Sequence, residues 1–263
     1  MEAEVKDALG ARMKENYEAR FQPQLPRRTY TVIRIDGKAF HSYTRPLNKP
    51  FDDCLQAAMD AAAMTLCGEM MGCALAYGQS DEYSFLLTDF ATDQTQAWFD
   101  GKVQKIVSIS ASIFTAAFLA ARFEQGDKRP AHFDSRAFCI PDRVEVDNYF
   151  IWRQQDAARN SLNMLASEYY SHRELHGKSC IERHELLHAK GVNWNDLAPN
   201  WKRGRVISKA TRQKEVTFTH KKTKQEETVT VDESYWRADY EIPVFTKEHG
   251  YLDALIPSLK GAL

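Results

Sequence analysis

The chain has 263 residues, a formal net charge of -1, 43% hydrophobic residues and 27% charged residues. This composition predicts a globular protein with a sizeable core, built as one large domain or as one domain with an appendage. The glycine and proline contents exclude a collagen-like or low-complexity chain, and the small net charge excludes a strong polyanion or polycation.

The start of the sequence is charged and lacks the apolar segment of a signal peptide. The most apolar stretch, residues 106–123, is too short and too polar for a membrane span. Five cysteines without a CxxC pair predict buried thiols in a reducing compartment. We therefore expect a cytoplasmic protein that does not enter a membrane.

Periodicity and turn residues predict alternating helices and strands in the first third of the chain. Residues 1–24 form an amphipathic pattern typical of a helix, and residues 29–35 form a strand that ends at an Asp-Gly turn. Asp52 or Asp53 caps a helix that extends to residue 71. Two apolar arms over residues 74–87 predict a hairpin around Gly-Gln-Ser-Asp.

The same signals continue through the rest of the chain. The expected elements are a helix over 95–122, strands over 133–139 and 144–149, a helix to about 172, and a hairpin from strands 215–220 and 227–231. Strand, helix, hairpin, helix, strand is the order of a ferredoxin-like split βαβ unit. We therefore expect an α+β fold in which residues 1–150 form one domain and residues 151–263 form a helical and β-hairpin extension packed on it.

Two acidic motifs lie at elements that this fold places side by side. Asp36 ends the first strand, in RIDGKAF, and Asp81 lies at the tip of the hairpin, in YGQSDEYSF. Two carboxylates at adjacent strand ends repel unless a cation compensates them, and oxygen ligands with open positions suit Mg²⁺ shared with substrate phosphates. Because side chains alternate along a strand, Asp81 and Glu82 should not both enter one site. The pair predicts a two-metal nucleotidyl-transfer site.

The motifs RIDGKAFH, AYGQSDEYSF, FDSRAF and WRQQDAARNSLN, in this order, resemble the tRNA-His guanylyltransferase family. The resemblance covers most of the chain. It implies a catalytic domain like the palm of template-copying polymerases, two Mg²⁺ ions, and nucleotide addition to the 5′ end of tRNA in the 3′→5′ direction. It implies that ATP activates the tRNA 5′ end and that an NTP, typically GTP, is then added. It also implies a homo-oligomer, a tetramer by analogy with relatives.

The resemblance assigns roles position by position. Asp36, Asp81 and the backbone carbonyl of Gly37 match the metal ligands, with Asp36 and Asp81 as the catalytic carboxylates. The nucleotide-binding positions add to these three Lys38, Ala39, Phe40, His41 and Ser80. The positions that match triphosphate contacts are Lys49, Lys102 and Lys105.

One motif departs from the pattern of the eukaryotic members. Those members carry a HINNLYN-type motif after WRQ, where this chain has Ala-Arg-Asn-Ser-Leu-Asn-Met over residues 158–164. The histidine is absent, and only Asn160 and Leu162 stay in register. This form resembles the bacterial and archaeal guanylyltransferase-like branch, which the resemblance associates with templated repair of truncated tRNA 5′ ends.

Residues 201–224 are rich in Lys and Arg, with Glu215 the one acid. Such a block is either a solvated face or a surface that contacts nucleic-acid phosphates. The candidate tRNA contacts in this basic block are Lys202, Arg203, Arg205, Lys209, Arg212, Lys221, Lys222 and Lys224.

Three other functions stay open at this stage. His184, Glu185 and His188 match the HExxH zinc-protease motif, but the third ligand position of the extended motif is Trp194, which leaves two imidazoles without a usual catalytic zinc site. A palm-fold nucleotide cyclase or cyclic-dinucleotide synthase uses the same pair of carboxylates. A non-catalytic tRNA-binding module would not need them.

Overall fold

The computed structural model describes residues 8–219 and 226–258. Its centre is a six-stranded antiparallel sheet with the order β4-β1-β3-β2-β5-β6. The strands are β1 Tyr30–Gly37, β2 Cys73–Gln79, β3 Glu82–Thr88, β4 Phe133–Ile140, β5 Arg205–Thr219 and β6 Glu226–Asp239.

The helices lie on both faces of the sheet and at its edges. They are α1 Ala8–Met13, α2 Phe40–Tyr43, α3 Asp53–Glu69, α4 Val103–Glu124, α5 Arg143–Tyr169, α6 His172–Leu175, α7 Cys180–Ala189, α8 Pro199–Arg203 and α9 His249–Leu255.

The first four strands and the helices between them form the predicted split βαβ arrangement. β1 lies between β3 and β4, and β2 pairs with β3, all antiparallel. The hairpin β2–β3 therefore places its tip beside the end of β1, where Asp36 is opposite Glu82. The chain combines helices with an antiparallel sheet, as expected for an α+β protein.

Two apolar layers hold this sheet. On one face, α3 and α4 pack on a cluster that includes Ile33, Phe85 and Phe114. On the other face, α5 and α9 pack on a cluster that includes Val32, Leu86 and Phe150. Because side chains alternate along each strand, neighbouring residues such as Val32 and Ile33 enter opposite layers.

α5 begins earlier than the sequence predicted, and the expected strand over 144–149 is wrong. Asp142 accepts a hydrogen bond from the backbone nitrogen of Val144 at 2.7 Å, which caps a helix there. Val146, Tyr149 and Phe150 are buried, and their spacing of three and four residues is helical. The same apolar alternation that resembles a strand thus lies on one side of a helix.

Other helix boundaries agree with the predictions only in part. α3 begins after Asp52, as expected, because its side chain accepts from Leu55 N at 2.7 Å. α4 begins at 103 rather than 95, since Phe99 and Asp100 have left-handed backbone angles (φ 49° and 55°) that no α-helix continues. In the predicted helix 1–24, residues 1–7 lie outside the described residues, and 8–21 form α1, a π-turn and a 3₁₀-turn.

β5 and β6 confirm the second hairpin and extend it beyond the prediction. They pair in continuous register from Val206–Asp239 to Thr219–Glu226. Only the start of β5 is buried, and from Lys209 to Thr219 its residues are half-buried or exposed. The predicted end of its first arm, His220, lies outside the described residues. Residues 150 and 151, the predicted domain boundary, lie inside α5, and β5 joins the sheet through β2. The two-domain division stays a prediction.

Two expectations from composition need correction. Cys54 and Cys180 are exposed rather than buried, because they occupy the first turns of α3 and α7 on the solvent side. α4 has the length and hydropathy of a membrane span, although residues 106–123 were expected to be too short and too polar for one. However, Ile106, Phe114 and Phe118 of α4 pack into the core, as they do in the core helices of many water-soluble proteins.

Candidate active site

Asp36 and Asp81 meet at the end of the sheet, as the topology predicted. The backbone nitrogen of Gly37 donates to the backbone carbonyl oxygen of Asp81 at 3.1 Å, which ties the end of β1 to the hairpin tip. Ser80 makes the tight turn with a left-handed φ of 45°, and its Oγ donates to Oδ1 of Asp81 at 3.0 Å.

The electrostatics of the pair suit the binding of a cation. Burial raises the pKa of Asp81, and the nearby charge of Asp36 raises it further, while the hydrogen bond from Ser80 opposes both. In the described part of the chain, no basic side chain lies within 4.0 Å of the Asp81 carboxylate. Asp36 has only long contacts, with Arg34 at 3.5 Å and Arg136 at 3.9 Å. The site therefore holds negative charge that the protein itself does not fully neutralise.

Glu82 lies at the same site, contrary to the expectation that it would not share it with Asp81. Asp36, Asp81 and Glu82 line one groove of about 350 Å³. The alternation rule fails here because β3 begins at Glu82 and Asp81 belongs to the turn. Glu82 is also paired: Arg153 Nε lies 2.9 Å from its Oε1, without an aligned hydrogen bond, and Arg34 Nε lies 3.6 Å from its Oε2.

A larger cavity of about 600 Å³ lies next to the carboxylates and shares the hairpin tip with this groove. We call it the nucleotide cavity. Its wall combines the Asp-Gly turn and α2, the loop before α3, the hairpin tip, one side of α5 and the region of α8. The predicted site residues on its wall are Gly37, Ala39, Phe40, His41, Lys49, Ser80, Asp81 and Arg205.

The turn between β1 and α2 restricts which residues can occupy two of its positions. A Cβ atom on Gly37 would lie 2.3 Å from the Phe40 ring, so a larger residue would displace that ring. Ala39 has a left-handed φ of 56°. Lys38 does not line the cavity: its backbone nitrogen donates to the His132 carbonyl oxygen at 2.9 Å, and the residue is exposed.

Several cavity residues were not predicted. Phe51 and Trp201 stack with ring centroids 4.7 Å apart, and Asn200 donates to Gln56 at 3.0 Å. These contacts join α8 to the loop before α3 and to the first turn of α3, which are about 150 residues away in the sequence. No local pattern signals such a pairing. Asn160 also lines the cavity; it is one of the two residues that stay in register with the family motif.

Lys102 and Lys105 do not reach this cavity within one chain. They line a separate groove of about 400 Å³ with Gln22, Pro23 and Gln104. That groove is at the start of α4, and Gly101, which directly precedes Lys102, lines a neighbouring small cavity together with Thr88 at the end of β3. The carboxylates lie at the opposite end of β3.

Several Lys and Arg side chains of the basic block are buried or already have partners within the protein. Arg205 is 2% exposed, and its Nε pairs with Asp60, so its assignment as a surface tRNA contact is wrong. Arg212 donates to Glu233 at 2.6 Å, and Lys209 lies over the Trp236 ring. Lys202 and Arg203 line a cavity beside α5. The remaining predicted contacts, Lys221, Lys222 and Lys224, lie outside the described residues.

The HExxH motif lies on α7, where His184 packs edge-on against Trp194 with ring centroids 5.6 Å apart. Within residues 8–219 and 226–258, no three His, Cys, Asp or Glu side chains cluster to hold a metal ion. A zinc-protease site therefore has no support in the described structure.

Comparison with known proteins gives the family. A model of the family described as tRNAHis guanylyltransferase matches residues 10–141. The tRNA(His) guanylyltransferase of Schizosaccharomyces pombe is 34% identical over 68% of this chain and 72% of its own length. A probable tRNA(His) guanylyltransferase of Dictyostelium discoideum is 31% identical over 86% of this chain and 96% of its own length.

Solved structures agree with this result. A bacterial tRNA(His) guanylyltransferase-like protein in complex with ATP is 38% identical, has a TM-score of 0.82, and is aligned over 96% of this chain and 100% of its own. The Saccharomyces cerevisiae enzyme is 28% identical, with a TM-score of 0.61 over 74% of this chain and 93% of its own. This chain belongs to the tRNA(His) guanylyltransferase family of nucleotidyltransferases.

Proposed function

We propose that this protein uses ATP to activate the 5′ end of a tRNA and then adds a nucleotide from GTP or another NTP in the 3′→5′ direction. The observation that carries the proposal is the meeting of Asp36 and Asp81 in one groove, with Asp81 also on the wall of the nucleotide cavity. Relatives in complex with ATP and with GTP support the choice of nucleotides. The split βαβ core supports a catalytic domain of the polymerase-palm type.

The residues fit a divalent cation. Two carboxylates, one of them without a basic partner among the described residues, offer hard oxygen ligands and leave positions for water and substrate oxygens, the arrangement that Mg²⁺ prefers. Asp36, Asp81 and the Gly37 carbonyl would hold one or two such ions. A bound ion there would lower the pKa of an attacking hydroxyl and neutralise charge that develops on phosphate.

The chain's own residues then position the substrates. Lys49 lies on the wall of the nucleotide cavity and is exposed, so its ammonium group can pair with triphosphate by charge-assisted hydrogen bonds. The strained turn at Ala39 and Phe40 brings backbone close to the nucleotide, and His41 and Ser80 complete the wall.

Lys102 and Lys105 need a different explanation. They lie at the far end of the sheet from the carboxylates of their own chain, so they can contact triphosphate in the nucleotide cavity only if another copy of the protein brings them there. Their proposed role therefore depends on the proposed homo-oligomer.

The substrate RNA follows from the motif over 158–164. Ala158 replaces the histidine of the eukaryotic motif, and the match to the bacterial guanylyltransferase-like structure covers nearly the whole chain. We therefore favour templated repair of truncated tRNA 5′ ends over untemplated addition of guanylate to tRNA-His.

The test uses a 5′-monophosphorylated tRNA that lacks its first nucleotide, with Mg²⁺, ATP and labelled NTPs. We expect templated extension by one nucleotide. Asp36→Asn and Asp81→Asn should each reduce it by more than the roughly 10–100-fold that loss of an outer-shell metal partner causes, while tRNA binding is kept. Cyclic products from NTP alone would support a cyclase instead. Binding without any product would support a non-catalytic module.

A further inference from the structure

A second cavity lies beside the nucleotide cavity, between the first half of α5, the segment 194–203 and the segment after β6. We call it the α5 cavity. It has a volume of about 230 Å³, and Ile151, Trp194 and Val244 give it an apolar wall. Lys202 and Arg203 place two adjacent cationic side chains on the same cavity.

These two cations lack acidic partners. Among the described residues, no carboxylate oxygen lies within 4.0 Å of Lys202 or Arg203. Lys202 Nζ donates to the backbone carbonyl oxygen of Asn195 at 2.5 Å, and Arg203 Nε is buried without a hydrogen-bond acceptor. Burial lowers the pKa of Lys202, and the neighbouring charge of Arg203 lowers it further, while the more distant charges of Asp196 and Glu241 offset these effects only in part. An anion bound here would relieve both the repulsion and the missing hydrogen bond.

The cavity therefore combines two cationic side chains, which favour a bound anion, with an apolar wall. A nucleotide unit of RNA has both parts, a flat base and a phosphate. The volume is below the roughly 300–1,000 Å³ of pockets that enclose drug-sized ligands, so the cavity suits one base rather than a base pair or a whole nucleoside triphosphate. Single-stranded RNA is bound in this way, by bases packed on aromatic side chains and phosphates paired with cations.

The two cavities are linked through α5 and α8. Asn160 of α5 lines the nucleotide cavity and Gln154 lines the α5 cavity, a separation of roughly 9 Å at about 1.5 Å per residue. In α8, Trp201 faces the first cavity and Lys202 the second. A tRNA presents its 5′ terminus next to unpaired nucleotides of its 3′ strand, so one RNA end can occupy both places.

We propose that the α5 cavity binds an unpaired nucleotide of the 3′ strand while the 5′ end lies at Asp36 and Asp81. This inference rests on the proposed function, because it takes RNA as the substrate. The bound 3′ nucleotide fixes the RNA end and gives a preference for ends with a 3′ overhang over blunt ends.

The test compares two 5′-monophosphorylated RNA hairpins that differ only in a 3′ single-stranded overhang. Their dissociation constants are measured by fluorescence anisotropy at one salt concentration. Wild-type protein should bind the overhang hairpin at least about fivefold more tightly, since stacking of one base contributes about 1–3 kcal/mol. In Arg203→Gln and in Trp194→Leu this ratio should fall towards one, with binding of the blunt hairpin nearly unchanged.

Lys190→Gln is the matched control. Lys190 lies 5.6 Å from the Tyr170 ring centroid, much as Lys202 lies 5.8 Å from that of Trp194, but it is not part of the cavity. This variant should keep the wild-type ratio. Equal weakening for both hairpins in Arg203→Gln, or an unchanged ratio in both cavity variants after folding is verified by circular dichroism, would overturn the inference.

The α5 cavity assignment and the proposed function can be contradicted separately. Asp81→Asn should lose nucleotide addition and keep the overhang preference. A wild-type protein that extends the overhang hairpin but binds both hairpins equally would contradict only the α5 cavity assignment. A protein that prefers the overhang and adds nothing would contradict only the proposed activity.

Discussion

Asp81 shows how a residue proposed to be catalytic can reduce the stability of the fold. Burial and the charge of Asp36 raise its pKa, which means that its ionised form is costly in the folded state at neutral pH. We expect Asp81→Asn to raise the melting temperature without added metal, by about 2–4 °C for each 1 kcal/mol gained. Differential scanning calorimetry in a chelator checks this, and Asp93→Asn, at an exposed surface pair, should leave the temperature unchanged. A lower melting temperature for Asp81→Asn would contradict the inference that the ionised carboxylate destabilises the fold.

The pKa of Asp127 is shifted in the opposite direction to that of Asp81. Hydrogen bonds from Arg129 hold its pKa well below the ordinary range, and Arg122 adds to the effect. Tyr43 of α2 also donates to Asp127, at 3.0 Å, so this carboxylate anchors the helix that carries Phe40 to the end of α4. A depressed pKa contributes stability above the ordinary carboxyl pKa of about 3.9, and this contribution is lost as the pH falls below that value.

We expect Asp127→Asn to lower the free energy of unfolding at pH 7 by about 1–3 kcal/mol, because hydrogen bonds to charged groups are lost. The difference from wild type should shrink as the pH falls from 5 towards 3. Urea unfolding at several pH values measures both effects. A difference that stays constant over this range would show that the carboxylate charge is not the cause.

At the scale of elements, Asp60 connects α3 to three other parts of the fold. It is 1% exposed and accepts from Tyr83 of β3 at 2.5 Å, from Tyr240 at 2.9 Å, and from Arg205 of β5. Removal of its charge leaves the buried Arg205 without its ion-pair partner. We expect Asp60→Asn to cost about 3–5 kcal/mol and Tyr240→Phe about 0.5–1.5 kcal/mol, measured by urea unfolding. Equal effects of the two variants would mean that the ion pair contributes little.

The sequence predicted elements well where the signal was local. The end of β1 at Asp36-Gly37, the β2–β3 hairpin and the helix cap at Asp52 or Asp53 depend on residues that are close in the chain. The structure confirms all three and shows that Asp52 is the cap. The strand expected over 144–149 was wrong because apolar alternation over six residues fits either a strand or one side of a helix.

The site followed from the sequence only in part, for a related reason. Asp36 and Asp81 could be paired because the split βαβ order fixes which strand ends meet. The burial of Arg205 could not be predicted, since a lysine- and arginine-rich stretch gives no sign that one of its members pairs with Asp60, 145 residues away. The Phe51–Trp201 stack was invisible for the same reason.

At the scale of the whole molecule, one apolar surface lacks a partner within the described chain. Leu9, Met13, Tyr17 and Phe21, four residues apart, are 59%, 43%, 61% and 73% exposed. We call these four residues the stripe; exposed apolar side chains that cluster in this way are typical of protein–protein contacts. Gln22 and Pro23, directly after it, line the groove of Lys102 and Lys105. A second copy bound to the stripe would therefore lie next to these two lysines.

We accordingly expect the protein to form a homo-oligomer, a tetramer by analogy with its family, and the stripe to take part in its interface. Tyr17→Glu combined with Phe21→Glu should shift the mass towards the monomer, because charges placed in an apolar contact are desolvated without partners. Ile181→Glu is the control, since Ile181 is equally exposed at 73% but isolated on α7. Sedimentation velocity over a range of concentrations measures the masses. If both variants sediment as wild type, the stripe is not the interface; if wild type is monomeric throughout, Lys102 and Lys105 cannot serve the nucleotide cavity, and their triphosphate assignment fails with the oligomer.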